Sequence, residues 1–166
     1  MKVAVLTVSD RCSRGETQDT SGPGLCRMVE QELEGEVVAT EIVPDDPERI
    51  ADQLVVWATH APKPDLLLTT GGTGLAPRDH TPEATRRVLE REHAGLIQLM
   101  QHRCMAITPL TFLSRGLAGT LADTLIINLP GSRKGSSECF AALLDVIPHA
   151  IQTLRGEVPD HGPKAR

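Results

Sequence analysis

The chain has 166 residues, 40% of them apolar and 2% aromatic, with a formal charge of −5. A chain this long buries roughly two-thirds of its unfolded surface without a disulfide or metal staple, so a single domain is expected. The acidic balance argues against sequence-independent nucleic-acid binding, which needs a Lys/Arg surplus, and two Phe, one Trp and no Tyr leave few rings for stacking bases.

Residues 2–9, KVAVLTVS, are a β-branched apolar run of the kind found in buried parallel strands. Residues 10–24 are polar and rich in Gly, Ser and Thr, which predicts a loop. Leu25, Met28, Val29 and Leu33 carry a helical spacing over residues 25–33. A second strand is expected over 36–43, closed by Pro44. Asp46 and Pro47 then read as an N-cap and first helical residue, with Ile50, Leu54, Val55 and Ala58 on the apolar face. DLLLTT (65–70) is a third buried strand, followed by a glycine-rich turn over 71–79.

Thr81-Pro82-Glu83 is another cap-plus-proline start, leading into a helix over 84–92, and a further helix is expected over 95–102. Residues 104–115 are ambiguous, being interrupted by Pro109. TLIINL (124–129) is a strand ended by Pro130-Gly131, and 137–155 reads as one long helix kinked at Pro148. Strands alternating with helices predict an α/β domain over 1–157, three-layered α/β/α with a mainly parallel sheet. A frayed tail is expected over 158–166.

No run of about 18 apolar residues occurs, so no membrane span is expected. The apolar start meets Asp10 and Arg11 without the layout of a signal peptide, and a cytoplasmic address is expected. Cys12, Cys26, Cys104 and Cys139 show no C-x-x-C spacing and read as buried free thiols. The six histidines include no H-x-x-x-H pair.

In open parallel sheets ligands bind beyond the carboxyl ends of the strands. At those ends this sequence places Ser9-Asp10-Arg11, Pro44-Asp45-Asp46, Gly71-Gly72-Thr73-Gly74 with Arg78-Asp79, and Pro130-Gly131-Ser132-Arg133-Lys134-Gly135. The first glycine loop suits close backbone approach to an anion; it is equally readable as a plain strand-to-helix turn. The second puts Ser132 and Lys134 at a helix start, either a phosphate site or a turn with a surface lysine. Asp45 and Asp79 beside these loops match the one or two carboxylates that hold Mg²⁺ with substrate phosphates. Asp79 is alternatively readable as a cap of the next helix, and Asp45 as a turn residue.

TTGGTGLAPRDHTPEAT (69–85) resembles the signature of the molybdopterin adenylyltransferase family. LIINLPGSRKGSSECF (125–140) resembles the corresponding segment of the gephyrin G domain and its plant counterpart. VLTVSD (5–10), IVPD (42–45), ITPLTFLSR (107–115) and PHAIQTLR (148–155) extend the likeness over about residues 3–155. The resemblance implies a homotrimer-forming α/β/α domain that joins ATP and molybdopterin as adenylylated molybdopterin, releasing pyrophosphate with Mg²⁺ assisting. A second enzyme would take the product and insert molybdate.

By the same resemblance Asp79 is the essential carboxylate and Asp45 its acidic partner near metal and phosphates. Gly71, Gly72, Thr73 and Gly74 line the site, and Ser9, Asp10, Ser114, Gly131, Ser132 and Lys134 help hold pterin or phosphates. His80 departs from the apolar Val of gephyrin-like sequences, and a packing or solvent-facing role is expected for it. Two rival readings stand: a molybdopterin-binding paralogue without catalysis, and a gephyrin-like scaffold module.

Overall fold

The computed structural model describes residues 1–157, which build six strands: β1 (Lys2–Val8), β2 (Glu36–Val43), β3 (Leu66–Thr70), β4 (Arg91–Glu92), β5 (Ala118–Leu121) and β6 (Thr124–Leu129). The expected tail over 158–166 lies outside the described residues. The strands form one sheet in the order β2-β1-β3-β6-β5-β4. The first four in that order pair parallel, whereas β6-β5 and β5-β4 pair antiparallel. The sheet is therefore mainly parallel, as the alternation of elements requires.

Successive residues of a strand face opposite sides, and here both sides are apolar. Val5, Leu68 and Ile127 pack with α2 (Ser21–Glu32), α5 (Ala94–Cys104), α6 (Arg133–Ala141) and α7 (Ile147–Leu154), where Phe140 and Met100 fill the layer. Leu6, Leu67 and Ile126 pack on the other side against α3 (Pro47–Thr59) and α4 (Thr81–Val88), chiefly through Ile50, Leu54 and Ala84. The result is a three-layer α/β/α core in which β3 is buried at every residue. Among the described residues no helix is long and apolar enough to cross a membrane.

Several boundaries differ from the sequence reading, each for a local reason. The 10–24 loop contains a single helical turn, α1 (Asp10–Ser13), because the Ser9 hydroxyl accepts from the Cys12 N–H. Helix α2 starts at Ser21 rather than 25, since the Asp19 carboxylate accepts from the Ser21 and Gly22 N–H groups. Asp46 caps α3 as expected, accepting from Glu48 and Arg49, but Ala51 is buried in place of Val55, which is 37% exposed. Helix α4 stops at Val88, and Arg91–Glu92 joins the sheet instead.

The ambiguous stretch holds a 3₁₀ turn, Pro109–Leu113, whose Thr108 cap accepts from the Leu110 N–H. Strand β5, which the sequence did not announce, then pairs with β6. The expected helix over 137–155 is two helices. Ser132 caps α6 through the Gly135 N–H, four residues earlier than expected, and Pro148 lies in the first turn of the separate α7. Proline needs no N–H there, so it opens a helix instead of kinking one. Of the four cysteines only Cys104 and Cys139 are buried; Cys12 and Cys26 are half-buried. Burial pushes the Cys139 thiol up to about 12, which leaves it inert at neutral pH.

Candidate active site

Strands β1, β3 and β6 end side by side, with Thr7 opposite Thr70 and Thr70 opposite Leu129. Their following loops therefore converge. Between them lies a polar cleft of ≈ 320 Å³, bordered by Ser9, Asp45, Gly71, Gly72, Asp79, Gly131 and Ser132. Seven of the residues singled out in the sequence are thus brought to one place.

The glycines permit this convergence. Gly71 (φ 108) and Gly72 (φ 61) occupy the left-handed region, which side chains with a Cβ rarely adopt. A Cβ on Gly71 would collide with the Val8 carbonyl, and one on Gly72 would sit 3.0 Å from Asp45 Oδ1. A Cβ on Gly131 would come within 3.0 Å of the Gly71 Cα, so the two glycine loops pack backbone on backbone. The Gly72 N–H donates to no acceptor among the described residues.

The first loop is fixed from behind. The Thr81 hydroxyl donates to the Gly71 carbonyl at 2.8 Å, and the Thr81 N–H to the Gly72 carbonyl at 3.0 Å. Arg115 donates to the carbonyls of Gly74 (2.8 Å) and Asp79 (2.7 Å) and pairs with Glu83. Beneath it, fully buried Asn128 accepts from the Leu117 N–H and donates to the hydroxyls of Thr69 and Thr85, each at 3.0 Å. That network joins β6, β3 and α4 with no polar atom of Asn128 left unpaired.

The two acids each have one committed oxygen and one uncommitted. Asp79 Oδ2 accepts from the Ala76 N–H at 2.9 Å, so Asp79 folds back on its own loop and does not cap α4, whose cap residue is His80. Asp45 Oδ2 accepts from the Asp10 N–H at 2.8 Å, while Asp10 Oδ1 accepts from the Asp45 N–H at 3.1 Å. Burial pushes the Asp45 carboxyl above its ordinary range; the charges of Asp10 and Asp79 act in the same sense, against the Asp10 amide. Asp10 itself is held below the ordinary range, first by its hydrogen bonds with Arg78, whose Nε lies 2.5 Å away.

Other expected residues stand outside the cleft. Asp10 is at its rim, locked to Arg78. Thr73 is buried and receives the Ser114 hydroxyl at 3.1 Å, so these two brace the loop from the far side with Gly74. Lys134 points away, its side chain 82% exposed and its Nζ 3.8 Å from Glu138. In its place Arg133 lines the cleft, together with Arg11, Asp19 and Ser21. Arg133 lies in the PGSRKG string between Ser132 and Lys134, the two residues singled out there. Asp19 and Ser21 carried no signal, lying in a stretch that reads as bare loop.

A pair of acids with free oxygens, near an N–H without an acceptor and the start of α6, suits Mg²⁺ bound mainly through substrate phosphates. No group of three or more His, Cys, Asp or Glu side chains placed to hold a metal occurs among the described residues, so a cation at this pair would take its remaining ligands from phosphate and water.

Comparison with known proteins agrees in extent with this site. The family described as "Probable molybdopterin binding domain" matches residues 4–149. The chain is 42% identical to the molybdenum cofactor synthesis protein cinnamon of Drosophila melanogaster, over 93% of this chain and 26% of that protein. It spans about a quarter of the length of that relative and of the gephyrin of Dictyostelium discoideum. A molybdopterin adenylyltransferase of Helicobacter pylori is 37% identical over 93% of this chain and 88% of that enzyme. The crystal structure of the molybdopterin biosynthesis enzyme MoaB of Thermus thermophilus superposes with a TM-score of 0.87 at 49% identity, covering 93% of this chain and 96% of that one. With the match spanning the four loops, after β1, β2, β3 and β6, that border the cleft, the chain belongs to the family of molybdenum cofactor biosynthesis proteins that share this molybdopterin-binding domain.

Proposed function

We propose that this chain is a cytoplasmic molybdopterin adenylyltransferase that moves AMP from ATP onto the phosphate of molybdopterin and releases pyrophosphate. The observation that carries the reading is the pairing of Asp45 and Asp79 across a glycine-built cleft whose border contains no histidine. A phosphate monoester is already a nucleophile at neutral pH, so the reaction asks for positioning and charge neutralisation more than for a base.

In this reading an oxygen of the molybdopterin phosphate attacks the α-phosphorus of ATP. A new P–O bond forms there as the bond to the bridging oxygen of the β-phosphate breaks, and pyrophosphate carries away the electron pair. Gly71, Gly72 and Gly131 let the phosphates approach the backbone. The start of α6, capped by Ser132, offers N–H groups and a positive dipole end, with Arg11 and Arg133 beside it. Ser9 orients the substrate phosphate. Asp45 and Asp79 would hold Mg²⁺, which when bound offsets the charge of the phosphates. Asp10 and Arg78 fix Asp45, while Thr73, Gly74 and Ser114 support the loop, and Lys134 is an exposed cation within reach of a long substrate.

The homotrimer expected from the family resemblance would have the exposed apolar residues Met105, Ile107, Leu110, Phe112 and Leu113 as a contact face, since exposed apolar surface marks contacts with other proteins. The product would pass to a molybdate-inserting enzyme. A turnover assay with molybdopterin, ATP and Mg²⁺ tests the reading. Adenylylated molybdopterin and pyrophosphate, both lost in Asp79→Asn, are the expected result. Molybdopterin binding without product would leave a binding module in place of an enzyme.

A further inference from the structure

A second cleft, of ≈ 590 Å³, opens where β4 and β5 meet the first turn of α5 and the end of α7. Leu125, at the amino end of β6, lies in its wall; the polar cleft begins past Leu129, at the opposite end of that strand. The volume falls among those of small-molecule sites. Its lining is divided. Leu96, Leu125, Ala150 and Leu154 form an apolar wall, whereas Arg91, His93 and His149 supply donors. No Asp or Glu among the described residues lines it.

Two further features point to a missing ligand. Thr120 borders the cleft and is 2% exposed, yet its hydroxyl is buried without any hydrogen-bond partner. Such a group costs stability unless something meets it. Helix α5 begins at the same cleft with a His93 cap whose side chain makes no capping hydrogen bond and no acid in its first turn; the Leu96 N–H is taken by the His93 carbonyl at 3.2 Å, which leaves the Ala94 and Gly95 N–H groups and the helix dipole unanswered at the cleft. At Gly95, in that turn, an added Cβ would meet nothing within 4 Å. The glycine is therefore not demanded by a close contact; it leaves open space at the helix start.

We propose that this cleft binds a small organic anion with an apolar body. The head group lies against Arg91, the first turn of α5 and the Thr120 hydroxyl, and the body lies along Leu96, Leu125 and Leu154. A carboxylate and a phosphate ester share this chemistry. The site is separate from the adenylyl-transfer cleft and does not depend on its assignment.

The test titrates the ¹⁵N-labelled full chain with octanoate, octyl phosphate and octanol, following the Gly95 and Thr120 amides. Saturable shifts at both amides are expected with at least one anion, and its identity names the head group. Octanol should bind at least about tenfold more weakly, the loss of one charge-assisted contact. Gly95→Leu fills the cleft and should abolish the shifts. Thr120→Val keeps the shape and secures the test should Gly95→Leu not fold. It should weaken anion binding about tenfold while raising the Tm of the free protein by about 2–4 °C. Four results would overturn the proposal: no saturable shift with either anion, octanol binding as tightly as the anions, shifts that persist in Gly95→Leu or fall only around Ser9, Gly72 and Ser132, or a Thr120→Val protein with unchanged anion affinity.

Discussion

The two glycine loops of the polar cleft have similar composition and opposite construction. In residues 71–74, Gly71 and Gly72 are held in left-handed backbone and pressed against Val8, and the loop is tied down by Thr81 and Arg115. Residues 130–135 lie at ordinary dihedrals apart from their tight contact with Gly71, and end in a capped helix start whose Lys134 stands in solvent. The first loop is a steric device that shapes the floor and sets Asp79. The second is an electrostatic device that aims N–H groups. Glycine content alone does not distinguish the two uses; the dihedral and the atom facing the missing Cβ do.

The sharpest way to break this contrast is Gly71→Ala. The new methyl group would be driven into the Val8 carbonyl, and a loss of about 3 kcal/mol in a denaturant titration is expected, with transfer activity abolished. A Gly71→Ala protein of native stability would mean the loop is not sterically determined. Asp79→Asn and Asp45→Asn should next lower kcat at least about a hundredfold, and their stabilities should diverge from their activities.

The sign for Asp45 follows from its raised carboxyl. Its contribution to stability is full below the ordinary value of 3.8 and is lost as pH rises through the raised folded value. Ionised Asp45 therefore strains the fold at neutral pH. Asp45→Asn, whose amide oxygen still accepts from Asp10, should raise the Tm at pH 7 and leave it nearly unchanged at about pH 3. In the wild type the acid limb of kcat/KM, which reports the free enzyme before metal and nucleotide bind, should lie above the range of an ordinary aspartate. A lower Tm at pH 7 for Asp45→Asn would contradict this account.

Smaller effects belong to the second loop. Gly135→Ala places a methyl group 2.8 Å from Ser132 Oγ, a movable atom, so the cost is that of a disturbed cap, about 1 kcal/mol. Lys134→Ala should raise KM by a few-fold with little change in kcat, an effect fading at high salt. His80→Val should be smallest, leaving the pH–rate profile unmoved, since His80 caps α4 without a side-chain bond.

The sheet was legible because its buried strands are near-continuous apolar runs, and Asp46-Pro47 announced α3 through chemistry confined to neighbouring residues. What was not legible depended on distant partners. Strand β5 (AGTL) is too short and too small-sided to signal itself, and exists because β6 offers it an edge. The break between α6 and α7 hides in a continuous helical spacing. Within the cleft, Asp45, Asp79 and three glycines were marked by their places after strands. Arg78, by contrast, was legible only as a loop cation. Its partner Asp10 lies 68 positions away, and no local pattern records such a pairing.

Ligand loops are commonly drawn from the least stable parts of a fold. Here the buried Asn128 network, Thr81 and Arg115 fasten the 71–79 loop to the central strands. Its fluctuations are thereby coupled to those of the core, and the Gly71 amide hydrogen, bonded to the Leu129 carbonyl, should exchange with solvent nearly as slowly as those of β3. Nucleotide then meets a surface already ordered, so little of its binding energy is consumed in immobilising the chain.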